Sequence, residues 1–457
     1  MALAAASVVE VRTAGNDTNG GGFVTGASGS NYSTADAKRT GTGVNDSTTD
    51  AVANGTTTIT SATAAFTTAI IGNIIYLQGG TGGLAAGWYQ VLTRPSATTI
   101  TVDRNVAAGN TITMNIGGAL ASPGMSGGYG LVGGGRVWIK AGTYSITSAT
   151  INISGGCPSY GVLVMIEGYE NSRGDRGVAP VLQASGIATA TLFTLGTNDS
   201  ACVNVDVDGA TLTAIRGFSC TVRNSFLFCT AANCTNSGFN LTSASTFAAY
   251  CRATGCTTTG AGFVGIAGGS FYGCVADQNS VPGFSGSGVY QQCIAAENSG
   301  ATTDGFITAA THSQYFYCVS YGNGRDGFRT NTTDFRCMWC IAEGNSAGVG
   351  FIVSAGTGAG CYLFNCAGQS NSSNTSGTFL LGNTDFNTGA GSSSFFNDAA
   401  AGDFTLNNNT GDGASVQQIP EIFPYGGNGY PSLGALAPQV FARGIRLVGR
   451  GGITAGA

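Results

Sequence analysis

Two pairs of carboxylates have the most chemistry to offer. Hydrolysis of a glycosidic bond needs a proton donor and a base or nucleophile, and paired acids supply both. Asp304 and Asp326 each precede a Gly-Phe pair and stand 22 residues apart. Asp206 and Asp208 alternate in VNVDVDG, so on a strand they share one face. Aspartate is equally at home in solvent turns, and turn aspartates are the expected reading. Lyase chemistry asks for a cation-binding cluster of acids beside an Arg or Lys base. Arg325 and Arg329 flank Asp326, but no third acid joins them. His312, the single histidine, reads as a surface turn residue. The runs NGGGF (Asn19 to Phe23) and GGTGG (Gly79 to Gly83) are not phosphate loops, since no Lys-Ser/Thr follows. The expectation is a chain with no catalytic site, no metal site and no cofactor.

Cysteine, by contrast, recurs with a period. Cys229, Cys251, Cys274, Cys293, Cys318, Cys340 and Cys366 follow one another at steps of 22, 23, 19, 25, 22 and 26 residues. A Gly-Phe mark keeps the same rhythm from Gly238-Phe239 to Gly350-Phe351. Two independent markers on one period signify a solenoid. A leucine framework is missing, and so much Gly, Thr and Asn would not suit helical repeats. Around each cysteine the alternation is that of a strand. Small residues, among them Ala276, Ala295 and Ala342, stand two positions after the cysteines, so both point one way. In a β-helix that way is the narrow lumen, where equivalent residues stack at about 4.8 Å.

The seven cysteines are thus read as a structural core ladder of thiols. Side chains stacked in register rarely offer disulfide torsions. Cys337 and Cys340 spell C-x-x-C, yet on a strand residues three apart face opposite sides. The asparagine five positions after the cysteine falls where the strand turns and suits left-handed geometry. The cysteines' neighbours are apolar: Phe228, Tyr250, Tyr317 and Trp339 before them, Val275, Ile294, Val319 and Ile341 after. With cysteine inward, these form an outward stripe of a kind monomers rarely expose. Either a loop or terminal segment covers it, or it is a subunit interface, most simply in a homotrimer.

The bulk numbers set the frame. A chain of 457 residues exceeds one ordinary compact domain. With 24 Phe, 16 Tyr and 9% charged residues it is ordered rather than disordered. A net charge of −5 without a Lys/Arg cluster excludes nucleic acid as a partner. No apolar run has membrane-spanning length, and MALAAASVVEV lacks the basic start of a signal peptide. Unpaired thiols fit assembly inside a cell. The expected fold is all-β: a right-handed parallel β-helix solenoid of about eleven coils over 131–395. An N-terminal β-rich attachment or capping domain occupies 1–130, and a closing coil with a C-terminal extension occupies 396–457. There Arg443, Ile445, Arg446, Leu447 and Val448 read as an arm that docks on a neighbouring subunit.

Several stretches resemble known families. GGGRVWIKAGTYSITSATINI (Gly133 to Ile153) and VLVMIEGYENSRGDRGVAPVL (Val162 to Leu182) resemble early coils of pectate-lyase-like right-handed parallel β-helices. VVEVRTAGNDTNGGGFVTGASGSNYS resembles the opening of phage and prophage-encoded β-helix proteins, and GDFTLNNNTGDGASVQQI with YPSLGALAP resembles their closing coil. The resemblance implies a bacteriophage virion structural protein: a capsid decoration (cement) protein or fibre, partnered by copies of itself and by capsid or tail proteins. The alternative it implies is a tailspike-like receptor-binding protein that degrades host-surface glycan. The first reading makes the chain a non-enzyme.

Overall fold

The computed structural model describes residues 7–41, 43–124, 131–147, 151, 163–188, 190–196, 199–220, 222–243, 245–265, 269–308, 313–345, 347–354, 360–381 and 395–396, and the backbone alone of 152–153, 382, 397–398, 403–406, 445–448 and 452–455. The chain divides into two compact units. One comprises 1–144, 151–181 and 196–201; the other comprises 145–150, 182–195 and 202–457.

In the first unit, six strands between Thr48–Ala53 and Gly109–Ile116 close into an antiparallel barrel. Alternating Ile, Val, Leu and Ala side chains fill it, with Ile59, Ile75, Leu77, Val91, Ile100 and Ile112 wholly buried. Beside the barrel strands, Ser7–Val11 pairs in parallel with Arg136–Lys140, which pairs in turn with Val164–Tyr169. The buried Glu10 carboxylate accepts from Arg12 at 2.8 Å and from Arg173 at 2.6 and 2.8 Å, which offsets its desolvation.

The second unit is a parallel β-solenoid. Seven complete coils run from Asn224–Leu227 to Ser373–Ser376, each giving one short strand to each of three parallel sheets. The eleven coils expected over 131–395 include strands of the first unit, such as Arg136–Lys140. The cysteines sit at the corner between the first and second sheets. Their immediate predecessors Phe228, Tyr250, Gly273, Gln292, Tyr317, Trp339 and Asn365 all adopt left-handed backbone, with φ between 50° and 58°. One such residue bends the chain and turns the next side chain inward. Each thiol is buried, and each from Cys251 on meets a backbone carbonyl of the coil before, as Cys318 Sγ does Tyr290 O at 3.4 Å. A small side chain with a weak donor suits that place better than alanine.

A second corner repeats the device. Asn233, Gly255, Gln278, Glu297, Gly322, Gly344 and Ser370 are left-handed, and Cys234, Cys256, Asn279, Asn298, Asn323, Asn345 and Asn371 follow them into the lumen. The asparagines are therefore not the left-handed residues, as the sequence led one to expect. They are inward-facing, and each donates Nδ2 to the Oδ1 of the next, at 2.8, 2.7, 3.1 and 2.9 Å. The C-x-x-C expectation is corrected for the same reason. Trp339 resets the alternation, so Cys337 and Cys340 are both buried.

The Gly-Phe marks build the opposite wall. Phe239, Phe263, Phe284, Phe306, Phe328 and Phe351 stack nearly parallel at centroid separations of 4.6 to 5.0 Å. The preceding glycine lets coils approach, since a Cβ on Gly283 would lie 2.8 Å from Gly305 O. Phe271, Tyr290 and Tyr315 form a second column set edge-on to the first. Phe306→Ala should destabilise the solenoid by about 3–5 kcal/mol. Asn323→Ala should cost about 1–3 kcal/mol by stranding its buried neighbours. Urea midpoints read both, and a neutral Phe306→Ala would show that the column is not under packing constraint.

Candidate active site on the second sheet

The two carboxylate pairs have opposite fates. Asp304 is fully buried; Arg325 Nε donates to its Oδ1 at 2.7 Å, and the Asp326 N–H donates to the same atom at 3.2 Å. Burial pushes its pKa up, against the pull of Arg325. Asp326 accepts from Val349 N–H at 2.8 Å and from Arg329 at 2.9 Å. Both acids are buried and leave no open carboxylate pair for a substrate. His312 and Arg443 lie outside the described residues. Ile445–Val448, which carries Ile445, Arg446, Leu447 and Val448, pairs antiparallel with Gly452–Ala455.

Asp206 and Asp208 lie on the outer face of the second sheet, in Asp206–Asp208, with Val207 between them turned inward and buried. The strand pairs with Thr230–Ala232, followed coil by coil by Arg252–Thr254 and Val275–Asp277. Outward positions Thr230, Ala232, Arg252 and Thr254 are all only half-buried, so this part of the face is open. Arg252 is committed to Asp277, with Nε donating to Oδ1 at 3.0 Å and Nη2 to Oδ2 at 2.5 Å.

The environments of the two acids differ. Asp208 Oδ1 accepts from Ala210 N–H at 2.8 Å and Asn233 Nδ2 at 3.1 Å, and Oδ2 accepts from Gln183 Nε2 at 3.0 Å. Desolvation works against the charge, yet these donors prevail and hold the carboxyl below its ordinary range. Asp206 accepts one backbone bond, from Thr230 N–H at 2.8 Å. Burial, with a contribution from Cys229, pushes it up to about 7. Two acids on one half-buried face, one biased to keep its proton and one to shed it, are what acid–base chemistry requires. Alternate Cα atoms on a strand lie about 6.7 Å apart, and both side chains leave the same face of the sheet. The alternation V-D-V-D is visible in the sequence; the burial that separates the two protonation states is not.

The structure places the remaining expected residues as follows. Cys229, Cys251, Cys274, Cys293, Cys318, Cys340 and Cys366 are buried and free, as are Ala276, Ala295 and Ala342 beside them. Burial pushes the Cys251 and Cys318 thiols up. Phe228 stacks on Tyr250 at 5.2 Å and Tyr317 on Trp339 at 4.9 Å. Ile294, Val319 and Ile341 are covered by Phe395 and Phe396, with Val275, Tyr317 and Trp339 at the margin. The opening motif is a tie: Asp17 accepts from Ala121 and Ser122 N–H, and a Cβ on Gly20 would lie 2.2 Å from Ile74 O. Among the described residues no group of acids, His or Cys is placed to hold a metal ion, and no helix is long and apolar enough to cross a membrane.

No family model and no curated protein matches the chain. Solved structures of similar fold include the pectate lyase Pel9A, at 17% identity over 63% of this chain and 79% of that one, with a TM-score of 0.41. Geobacillus virus E2 ORF18 is 13% identical over 57% and 53% of the two chains, with a TM-score of 0.36. The tailspike gp49 of Pseudomonas phage LKA1 is 13% identical over 76% and 62%, with a TM-score of 0.25. These likenesses are of fold. The expectation of a non-enzyme is corrected here: the structures of like fold include a pectate lyase, a rhamnogalacturonan lyase, a mannuronan epimerase and an α-1,3-glucanase.

The protonation of Asp206 has a signature in stability. The folded chain keeps this proton up to about pH 7, whereas an unfolded aspartate loses it near pH 4. Between those values the folded state holds the extra proton, so stability falls as pH rises through the window. Asp206→Asn cannot ionise; its urea midpoint should exceed that of the wild type at pH 8 and equal it at pH 4. Equal midpoints at both would show that Asp206 titrates normally.

Proposed function

We propose that this chain is a tailspike-like component of a phage particle that binds and hydrolyses a host-surface polysaccharide on its β-solenoid. The observation that carries the reading is the Asp206 and Asp208 pair on the open part of the second sheet. Asp206, protonated near neutral pH, gives its proton to the glycosidic oxygen as the C1–O bond breaks. Asp208, ionised by three donors, takes a proton from the water whose oxygen bonds to C1. The phage context rests on the resemblance of the opening and closing stretches, and the fold is compatible with it. A rigid solenoid with hydrogen-bonded lumen columns holds such a site without loop motion.

Purified protein incubated with capsule or lipopolysaccharide of the host should release reducing ends. Asp206→Asn and Asp208→Asn should each lower the rate by about 100-fold or more. Absence of reducing ends across a panel of surface glycans would falsify the hydrolytic reading. The capsid-decoration reading differs in location. Microscopy of intact particles should find the protein at the tail, and a shell position would return the chain to the decoration class.

A further inference from the structure

The outer face of the second sheet changes character along the solenoid. As far as Val275 its first outward column is half-buried; one coil later Ile294 is 3% exposed, and Val319 and Ile341 are completely covered. The cover is a short segment of the same chain. Phe395 and Phe396 are buried against Ile294, Val319, Ile341 and Ala367. The Phe396 ring meets Tyr321 edge-on at 6.4 Å, and Phe395 N–H donates to the buried Glu343 Oε2 at 3.0 Å. Two aromatic plugs and one charge-assisted bond thus pin Phe395 and Phe396 on the sheet as a strap.

The strap and the acid pair occupy one sheet in known register. Asp206 leads through Thr230, Arg252 and Val275 to Ile294, one strand spacing at each step. That is about 19 Å of open face before the strap begins. A glycan lying along the solenoid axis can follow that face and must stop or lift away at the strap. We infer that Phe395 and Phe396 end the glycan-binding face, fixing how many sugar units are held beyond Asp206 and Asp208 and hence the length of the product. The inference rests on the hydrolytic site proposed above.

Product lengths test it. The wild type should release short products of one size class. Phe395→Ala/Phe396→Ala, which lifts the strap, should shift them to longer and mixed sizes, and Phe395→Leu/Phe396→Leu should keep the wild-type pattern. The same size distribution from a folded alanine variant overturns the inference and leaves the hydrolytic site standing. No product from the wild type on any glycan overturns both. An independent measurement covers an alanine variant that fails to fold. In the Asp208→Asn chain, affinity for oligosaccharides of increasing length should rise and then level off. Affinity that keeps rising with length overturns the inference.

Discussion

Each coil has to lie on the one before it at a single strand spacing, and that constraint is met at the corners. A left-handed residue makes the bend, and the side chain after it is delivered into a lumen with room for little more than a thiol or an amide. Both groups suit the place because they can donate to backbone carbonyls of the preceding coil, as Cys318 does to Tyr290 and Asn279 to Ala253. With the corners fixed, the strands between them are only two to five residues long, and the phenylalanine column aligns without further instruction. The solenoid's order is therefore a matter of nearest neighbours, coil against coil.

That order makes the outer surface a lattice on which residues of distant sequence become neighbours. Gln183, Asp208 and Asn233 meet through their side chains across successive coils, and Arg252 reaches Asp277 one coil on. The same lattice half-buries Asp206 beside a backbone donor, Thr230 N–H. Chemistry on such a surface needs no moving part. It needs only that two acids on one strand be solvated differently, and here a neighbouring coil does that work.

Much of this was legible before any coordinates. The period, the inward thiols and the small residues beside them follow from spacing and alternation. The function of each corner did not, because a left-handed aromatic such as Trp339 looks in sequence like a strand residue. Counting alternation through it from Cys340 turns Cys337 outward, whereas both are buried. The apolar row after the cysteines calls in the sequence either for a covering segment of the chain or for a subunit interface. What covers Ile294, Val319 and Ile341 is Phe395 and Phe396, more than fifty residues beyond Ile341 and outside the repeat. No local pattern announces that contact. Asp206 and Asp208 are visible in the sequence as a pair but read there as turn residues, since their separation in acidity depends on burial.

The asparagine column has a direction. From Asn279 to Asn371 every amide nitrogen points to the following oxygen, never back. Aligned dipoles of this kind polarise one another, so the tube interior carries a vector as well as a shape. Flipping a single amide would set oxygen against oxygen on one side and nitrogen against nitrogen on the other. The backbone fixes which way the row runs: each Oδ1 from Asn298 on also accepts the N–H of the asparagine before it. Amides such as Asn279 and Asn298 also donate Nδ2 to carbonyls of the preceding coil, so the five asparagines behave as one long element.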